Sequence, residues 1–175
     1  MTTFFTLTEI LQVFSISLGV GSSTLAIVNF FAAIADGTID ETERRMMGLV
    51  YTVLRIAMAA ILVTTMLLYA PVVFANGFSA LPVYAIAEVL VIAVLFINAM
   101  LMTAHLVSST IGPGLQAGSW YSLGALIALQ AQDITNFTVL QFVLAYAAWL
   151  VLSIGIVNAV MAILKARKAK TLQSK

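Results

Sequence analysis

The stretch "YTVLRIAMAAILVTT", residues Tyr51–Thr65, is apolar apart from one charged residue, Arg55. It belongs to a longer apolar run, from Met46 to Tyr69, that is long enough to cross the ~30 Å hydrocarbon core of a bilayer as a helix. A lone charge at the centre of such a helix costs about 2.5–3.5 kcal/mol on insertion scales. The stretch therefore predicts a membrane-spanning helix whose arginine needs a polar partner.

The composition of the whole chain also indicates a membrane protein. Its 175 residues are 62% hydrophobic and 9% charged, with a mean hydropathy of +1.10, whereas soluble domains are about 25% charged. The absence of cysteine excludes disulfides, thiolate metal sites and thiol nucleophiles. No nucleophile–base pair, phosphate-binding loop or nucleic-acid-binding surface is visible in the sequence. We therefore expect an integral membrane protein that is not an enzyme and whose main partner is the lipid bilayer.

Five apolar stretches are long enough to span, and they predict an all-α, polytopic bundle of five transmembrane helices. The fourth stretch is the shortest and follows a break at Gly112-Pro113-Gly114, so a re-entrant hairpin is an alternative there. The predicted spans are residues 7–35, 46–69, 82–106, 113–130 and 137–164, which leave 165–175 as a basic tail.

The basic residues predict the orientation of the bundle, since cytoplasmic loops carry an excess of lysine and arginine. Arg44 and Arg45 lie between the first two spans, and five more basic residues follow the fifth span. With five spans these two places fall on the same side of the membrane, whereas the outer connections, 70–82 and 130–136, carry no basic residue. The N-terminus is therefore predicted outside and the C-terminus in the cytoplasm.

Five polar residues inside the spans are candidates for a functional layer. Helices one, three and five run in the same direction, which puts Asn29, Asn98 and Asn158 in the cytoplasmic half of the membrane. Arg55 lies about 14 Å from the inner edge by helical rise, and Glu88 lies about 9 Å from the outer edge. Arginine could bridge the remaining ~7 Å of depth in a ~30 Å core. Two interpretations stay open: an ion pair that fixes helix two to helix three, or a charged path for protons or small ions.

The only histidine, His105, is a candidate metal or haem ligand. It shares one stripe of the third helix with Asn98 and Met102. Thioether and imidazole groups suit Cu(I). The alternative is that methionine fills space in the core and that the histidine is solvated at the membrane edge.

Two other motifs predict packing rather than chemistry. Ser15, Gly19 and Ser23 repeat every four residues, which is typical of a face that packs closely against another helix. Trp120 and Tyr121, in "GSWYSLG", are expected to anchor the fourth helix at the membrane interface.

The loop "ADGTIDETERR", residues 35–45, resembles the second half of a calcium-binding loop, but two of the ligands which that pattern requires are missing. We interpret it as the end of one helix at Gly37 and the start of the next at Asp40. Asp40 then caps the second helix, and Glu43 completes a capping box.

The order of these motifs resembles a family of small, uncharacterised five-helix bacterial membrane proteins. That family is itself distantly similar to the membrane domains of copper-resistance D proteins and of b-type haem proteins. The resemblance implies a bacterial inner membrane. It leaves the cofactor open, with haem and copper as candidates. The family pattern has a histidine after a leucine in helix one, where this chain has Gln12 after Leu11, and glycines where this chain has Ser22 and Ser23. A haem would then need a methionine or a second subunit besides His105. The resemblance covers nearly the whole chain and is carried by "LQVFSISLGVGSSTLAIVNFFAAIADGTIDETE", "INAML" and "GSWYSLG".

Three functions agree with these residues. The first is a permease or channel-like protein for protons, metal ions or small solutes, with the polar layer as its path. The second is a membrane b-type cytochrome that transfers electrons through a haem on His105. The third is a non-catalytic subunit whose membrane partner supplies the activity. The small-residue faces predict a homo-oligomer or such a partner.

Overall fold

The computed structural model is all-helical, and it describes residues 2–36, 40–108 and 111–173. The described part contains five α-helices, as predicted, and a short 3-10 turn, Phe78–Ala80, between the second and the third. The helices are α1 (Thr2–Asp36), α2 (Glu41–Asn76), α3 (Val83–Thr103), α4 (Gly112–Ala131) and α5 (Val139–Gln173).

Four of these helices, α1, α2, α3 and α5, are long and apolar enough to cross a membrane. The helices α1, α2 and α5 have 35, 36 and 35 residues, or about 52–54 Å at 1.5 Å per residue, so they are longer than a ~30 Å hydrocarbon core. Large apolar side chains point outwards, such as Phe14, Leu140 and Val151, which are 68%, 68% and 72% exposed. An outer surface of this kind is suited to lipid.

The helix ends follow local chemistry. The predicted capping box is confirmed: the Glu43 backbone N–H donates to Asp40 Oδ1 at 2.6 Å, and the Asp40 N–H donates to Glu43 Oε2 at 3.1 Å. The predicted helix end at Gly37 lies outside the described residues. Helix α2 continues seven residues past the predicted end at Tyr69 and stops at Gly77, whose φ of +82° suits a residue without a Cβ.

The helix α4 lies at the centre of the bundle and packs against α1, α3 and α5. Half of its 20 residues are buried. A Cβ at Gly114 would lie 2.8 Å from Ile154 Cα, and a Cβ at Gly118 would lie 3.0 Å from Leu150 Cδ2. These two glycines, four residues apart, let α4 and α5 approach closely. Helix α4 is not among the four helices apolar enough to cross a membrane, and its buried residues include the polar Gln116, Ser119 and Ser122.

The predicted packing face on α1 is buried, as Ser15, Gly19 and Ser23 all lie inside the bundle. A Cβ at Gly19 would overlap the indole ring of Trp120. The expectation that Trp120 anchors α4 at the membrane interface is wrong, because its side chain is 0% exposed. Since the α1 face is used within one chain, it does not require a second copy, and the homo-oligomer stays a prediction.

Candidate functional site

A buried carboxyl group lies where α1, α2 and α3 meet. Glu88 on α3 is 5% exposed. Its Oε1 accepts hydrogen bonds from Gln12 Nε2 at 2.5 Å and from Thr65 Oγ1 at 3.5 Å, and its Oε2 accepts one from the Tyr69 hydroxyl at 2.6 Å. Gln12 also donates to Thr65 Oγ1 at 3.2 Å. We call Gln12, Thr65, Tyr69 and Glu88 the Glu88 cluster.

The spacing of these residues along their helices explains why they converge. Thr65 and Tyr69 are one turn apart on α2, so they share a face. On α1, Gln12 follows the buried Thr8 by four residues and therefore lies on the inward stripe of that helix. Glu88 lies on the buried stripe of α3, so its carboxyl group points into the bundle and away from lipid.

The structure does not bring Arg55 and Glu88 together. Arg55 is exposed on α2, and Glu88 makes no ion pair with any described basic residue. Thr65, which contacts Glu88, lies ten residues after Arg55, or about 15 Å along the helix. That distance is beyond the reach of an arginine side chain. An ionised Glu88 is therefore held by hydrogen-bond donors but has no counter-charge among the described residues.

Asn98, a predicted site residue, lies in a second polar cluster. Its side chain is 3% exposed, and its Nδ2 donates to Gln116 Oε1 at 2.9 Å and to the Gly112 carbonyl at 3.1 Å on α4. Two thioethers border these amides: Met102 Sδ lies 3.5 Å from Asn98 Nδ2, and Met58 Sδ lies 3.8 Å from Gln116 Nε2. We call these five residues the Asn98 cluster.

The other predicted members of the polar layer have different surroundings. Asn29 is half-buried on α1. Asn158 is half-buried on α5, where its Nδ2 donates to the Ile154 carbonyl at 2.9 Å, one turn back on the same helix. The hydrogen bond described for Asn158 stays within α5, and the hydrogen bonds described for the two clusters do not include Asn29 or Asn158. A shared depth for Asn29, Arg55, Asn98 and Asn158 in a membrane stays a prediction.

The candidate metal ligands lie at the end of α3. His105 is exposed and has a φ of +57°, which ends the helix three residues earlier than the predicted span. Its backbone N–H donates to the Met102 carbonyl at 3.1 Å, while the Met102 thioether contacts Asn98. Among the described residues there is no group of three His, Cys, Asp or Glu side chains that could hold a metal ion. Copper or haem binding through His105 and Met102 stays a prediction.

An apolar layer separates the two clusters. Glu88 and Asn98 are ten residues apart on α3, or about 15 Å by helical rise. Between them Val91 and Leu95 are 0% exposed, and Ile61 of α2 is also 0% exposed. Among the described residues, three fully buried apolar side chains therefore lie between the two clusters.

A cavity of about 390 Å³ lies between α2 and α3, beside the Glu88 cluster. Thr65 and Tyr69 contribute to its wall, and both of their hydroxyl groups donate to Glu88. The rest of the wall is apolar and includes the aromatic rings of Phe74, Phe78 and Phe96. One side of the carboxyl group is therefore separated from an apolar space only by hydroxyl-bearing side chains.

The chain matches no protein-family model, no curated protein and no solved structure. The resemblance to copper-resistance D and b-type haem membrane domains stays an expectation, and function is argued from the two clusters.

Six residues of the clusters were not singled out from the sequence as site residues: Gln12, Thr65, Tyr69, Gln116, Gly112 and Met58. A signal existed for two of them. Thr65 and Tyr69 are spaced by four near the outer end of the second span, at the depth predicted for Glu88. Gln12 was noted only as a departure from the family pattern, and Gln116 was hidden in the stretch with the weakest hydropathy.

Proposed function

We propose that the protein is a small, non-enzymatic membrane permease for cations, and that Glu88 binds the transported proton or cation. The observation that carries this proposal is a carboxyl group, 5% exposed, with three hydrogen-bond donors and no described basic partner. Ionisable residues inside membrane bundles are rare and tend to mark ion pathways and proton relays. The proposal includes five crossings of a cytoplasmic membrane, with the C-terminus inside.

Charge balance distinguishes this site from a structural ion pair. A carboxyl group that only fixes two helices would be expected to have an arginine or lysine beside it, because removing an unpaired ion from water costs several kcal/mol. Around Glu88 the described contacts are an amide and two hydroxyl groups, which orient a carboxylate without neutralising it. A proton on Glu88, or a cation bound to it, supplies the missing positive charge.

The apolar layer favours a permease over an open channel. Ile61, Val91 and Leu95 close the interval between the Glu88 and Asn98 clusters, so an ion at Glu88 needs a conformational change to leave toward the other end. The donors to Glu88 all come from α1 and α2, whereas Glu88 belongs to α3. Binding or loss of a cation would therefore alter the polar contacts between the α1–α2 pair and α3.

Flux through proteoliposomes tests the proposal. Purified wild-type protein, Glu88→Gln and the control Glu41→Gln, which makes the same change at an exposed carboxyl at the start of α2, are incorporated at matched density. Proton flux is followed with an internal pH dye, with and without sodium or potassium on the opposite side. We expect flux above empty liposomes for wild type and Glu41→Gln, and background flux for Glu88→Gln. Equal flux in wild type and Glu88→Gln would contradict the assignment of Glu88.

A further inference from the structure

The cavity between α2 and α3 is an apolar groove that opens to the outer surface, since Phe74 and Phe78 in its wall are 89% and 55% exposed. Glu88 does not line this groove but contacts two residues of its wall. The cavity has a volume of about 390 Å³, which falls in the range of ~300–1,000 Å³ that is common for small-molecule sites. Its apolar wall comes from both helices and from the turn that joins them, for example Leu62, Phe78 and Phe96. The hydroxyl-bearing side chains in the wall, Thr65 and Tyr69, are also the residues that connect it to Glu88.

We propose that this cavity binds an amphipathic organic cation, with its apolar body between α2 and α3 and its positively charged head at the Glu88 cluster. This inference rests on the proposed function, because it makes Glu88 the cation-binding group, and it adds the class of ligand. The charge of the ligand complements the carboxyl group that lacks a basic partner. The apolar body of the ligand contacts the apolar wall of the cavity, with which a hydrated inorganic ion would make no favourable contact.

The aromatic residues give a second reason for a cationic head. Phe74, Phe78, Phe96 and Tyr69 all contribute to the wall, and the faces of aromatic rings attract ammonium groups by about 0.5–2 kcal/mol each. An uncharged occupant such as a lipid acyl chain would satisfy the apolar wall but leave the carboxyl group without a counter-charge. Tyr69 is the half-buried member of the cluster, whereas Thr65 and Glu88 are buried. Tyr69, which lines the cavity and donates to Glu88, therefore lies between the cavity and the carboxyl group.

Calorimetric titration of the protein in detergent with benzyltrimethylammonium tests the charge requirement. We expect wild type and the control Glu41→Gln to bind this cation, and Glu88→Gln to bind it at least about tenfold more weakly, because loss of a buried charge partner costs more than that factor. Equal binding to wild type and Glu88→Gln would overturn the proposal, since the cavity would then take apolar bodies without regard to charge, as an acyl-chain site would.

Filling the cavity tests the location. Ala93 lines the cavity on α3, so Ala93→Leu should reduce its volume and weaken binding of benzyltrimethylammonium. Ala128→Leu is the matched control, because Ala128 is exposed on α4 and does not line this cavity. If binding requires Glu88 but is the same in Ala93→Leu and Ala128→Leu, the cation reaches Glu88 by another route. The cavity assignment would then fail while the permease proposal would stand.

A measurement on the unmodified protein covers the case in which Glu88→Gln does not fold. Dicyclohexylcarbodiimide reacts with a protonated carboxyl group, which adds across the C=N bond of the reagent, so that the adduct retains every atom of both. Peptide mass spectrometry then locates the modified residue. We expect benzyltrimethylammonium to slow modification of Glu88, and its neutral carbon isostere, neopentylbenzene, not to slow it. An unchanged rate at a saturating concentration of the cation would overturn the proposal. If proton flux that depends on Glu88 were still observed in that case, the proposed ligand class would be wrong and the permease proposal would stand.

Discussion

The Tyr69 hydroxyl on α2 donates a 2.6 Å hydrogen bond to Glu88 Oε2 on α3, at the edge of the cavity between these two helices. Gln12 of α1 reaches the other oxygen of the same carboxyl group. A single side chain of α3 is therefore held by donors from both of the preceding helices. The described partners of this carboxyl group are neutral hydrogen-bond donors, and none is the basic residue that a helix-fixing ion pair would require.

Removal of the Gln12 amide should destabilise the bundle. In Gln12→Leu the buried Glu88 loses a direct donor and Thr65 loses a hydrogen-bond partner. A buried polar group left unsatisfied costs about 1–3 kcal/mol, so we expect a loss of that size in the free energy of unfolding, measured by denaturant titration in detergent micelles. The control is Ser17→Ala, because the exposed Ser17 donates only to the Val13 carbonyl of its own helix. Equal stability of the two variants would contradict a tight contact between Gln12 and Glu88.

Removal of the Arg55 side chain should have little effect on the free energy of unfolding. Arg55 is exposed on a helix that is apolar enough to cross a membrane, so Arg55→Ala removes a charge from the outer surface and leaves no described buried partner unpaired. Had Arg55 been paired with Glu88 in the core, Arg55→Ala would cost about 3–5 kcal/mol. The same unfolding measurement distinguishes the two cases. A loss of that size would contradict the exposed position of Arg55.

The failed pairing shows which parts of the fold the sequence could predict. Features that depend on local spacing were predicted: the helices, the Asp40–Glu43 capping box and the buried α1 stripe. The Arg55–Glu88 contact required the relative shift of two helices, and we counted depth from the ends of apolar runs. Since α2 runs from Glu41 to Asn76, well beyond its apolar run, those ends were poor reference points.

Trp120 illustrates a second limit of prediction from sequence. Its place near the start of a marginal apolar stretch suggested an interface anchor, but α4 begins at Gly112 and buries the indole ring against Gly19. The sequence of α4 does not indicate which residue of α1 leaves space for that ring. For the same reason the amide of Gln116 could not be matched with Asn98 before the helices were packed.

The close approach of α4 and α5 predicts opposite effects for two glycine substitutions. A Cβ at Gly118 would lie 3.0 Å from Leu150 Cδ2 and from Ser153 Oγ, so Gly118→Val should cost about 1–3 kcal/mol through overpacking. At Gly155 a Cβ meets nothing within 4 Å, so Gly155→Ala should stabilise the helix by up to about 1 kcal/mol. Thermal unfolding of the two variants in detergent checks the signs. If Gly118→Val were as stable as wild type, α4 and α5 could not be in close contact there.

The position of α4 also predicts the topology. Gly114 lies against Ile154 and Gly118 against Leu150, so α4 and α5 are antiparallel, and a crossing by both places the loop around Asp133 outside. Reporter fusions after Asp40 and Lys175 should indicate the cytoplasm, and fusions after Asn76 and Asp133 should indicate the outside. A cytoplasmic signal at Asp133 together with an outside signal at Lys175 would mean that α4 does not cross.

The Glu88→Gln variant separates a binding site from a structural contact, because the two roles predict opposite results. Glutamine has nearly the same shape, and its carbonyl oxygen can still accept from Gln12 or Tyr69, while the uncompensated charge is removed. Replacing a buried charge by a neutral group of similar volume is often neutral or stabilising. If Glu88 binds the transported cation, the denaturant concentration at which Glu88→Gln unfolds should be equal to or higher than that of wild type, and its flux should be at background. This combination is expected because functional sites often reduce the stability of a protein. If Glu88 only holds the helices together as a carboxylate, the variant should lose about 1–3 kcal/mol with its charged hydrogen bonds and keep its flux. Unfolding and proton flux are measured on one preparation, with Glu41→Gln as the control. A Glu88→Gln variant that is both less stable and fully active would remove Glu88 from the mechanism.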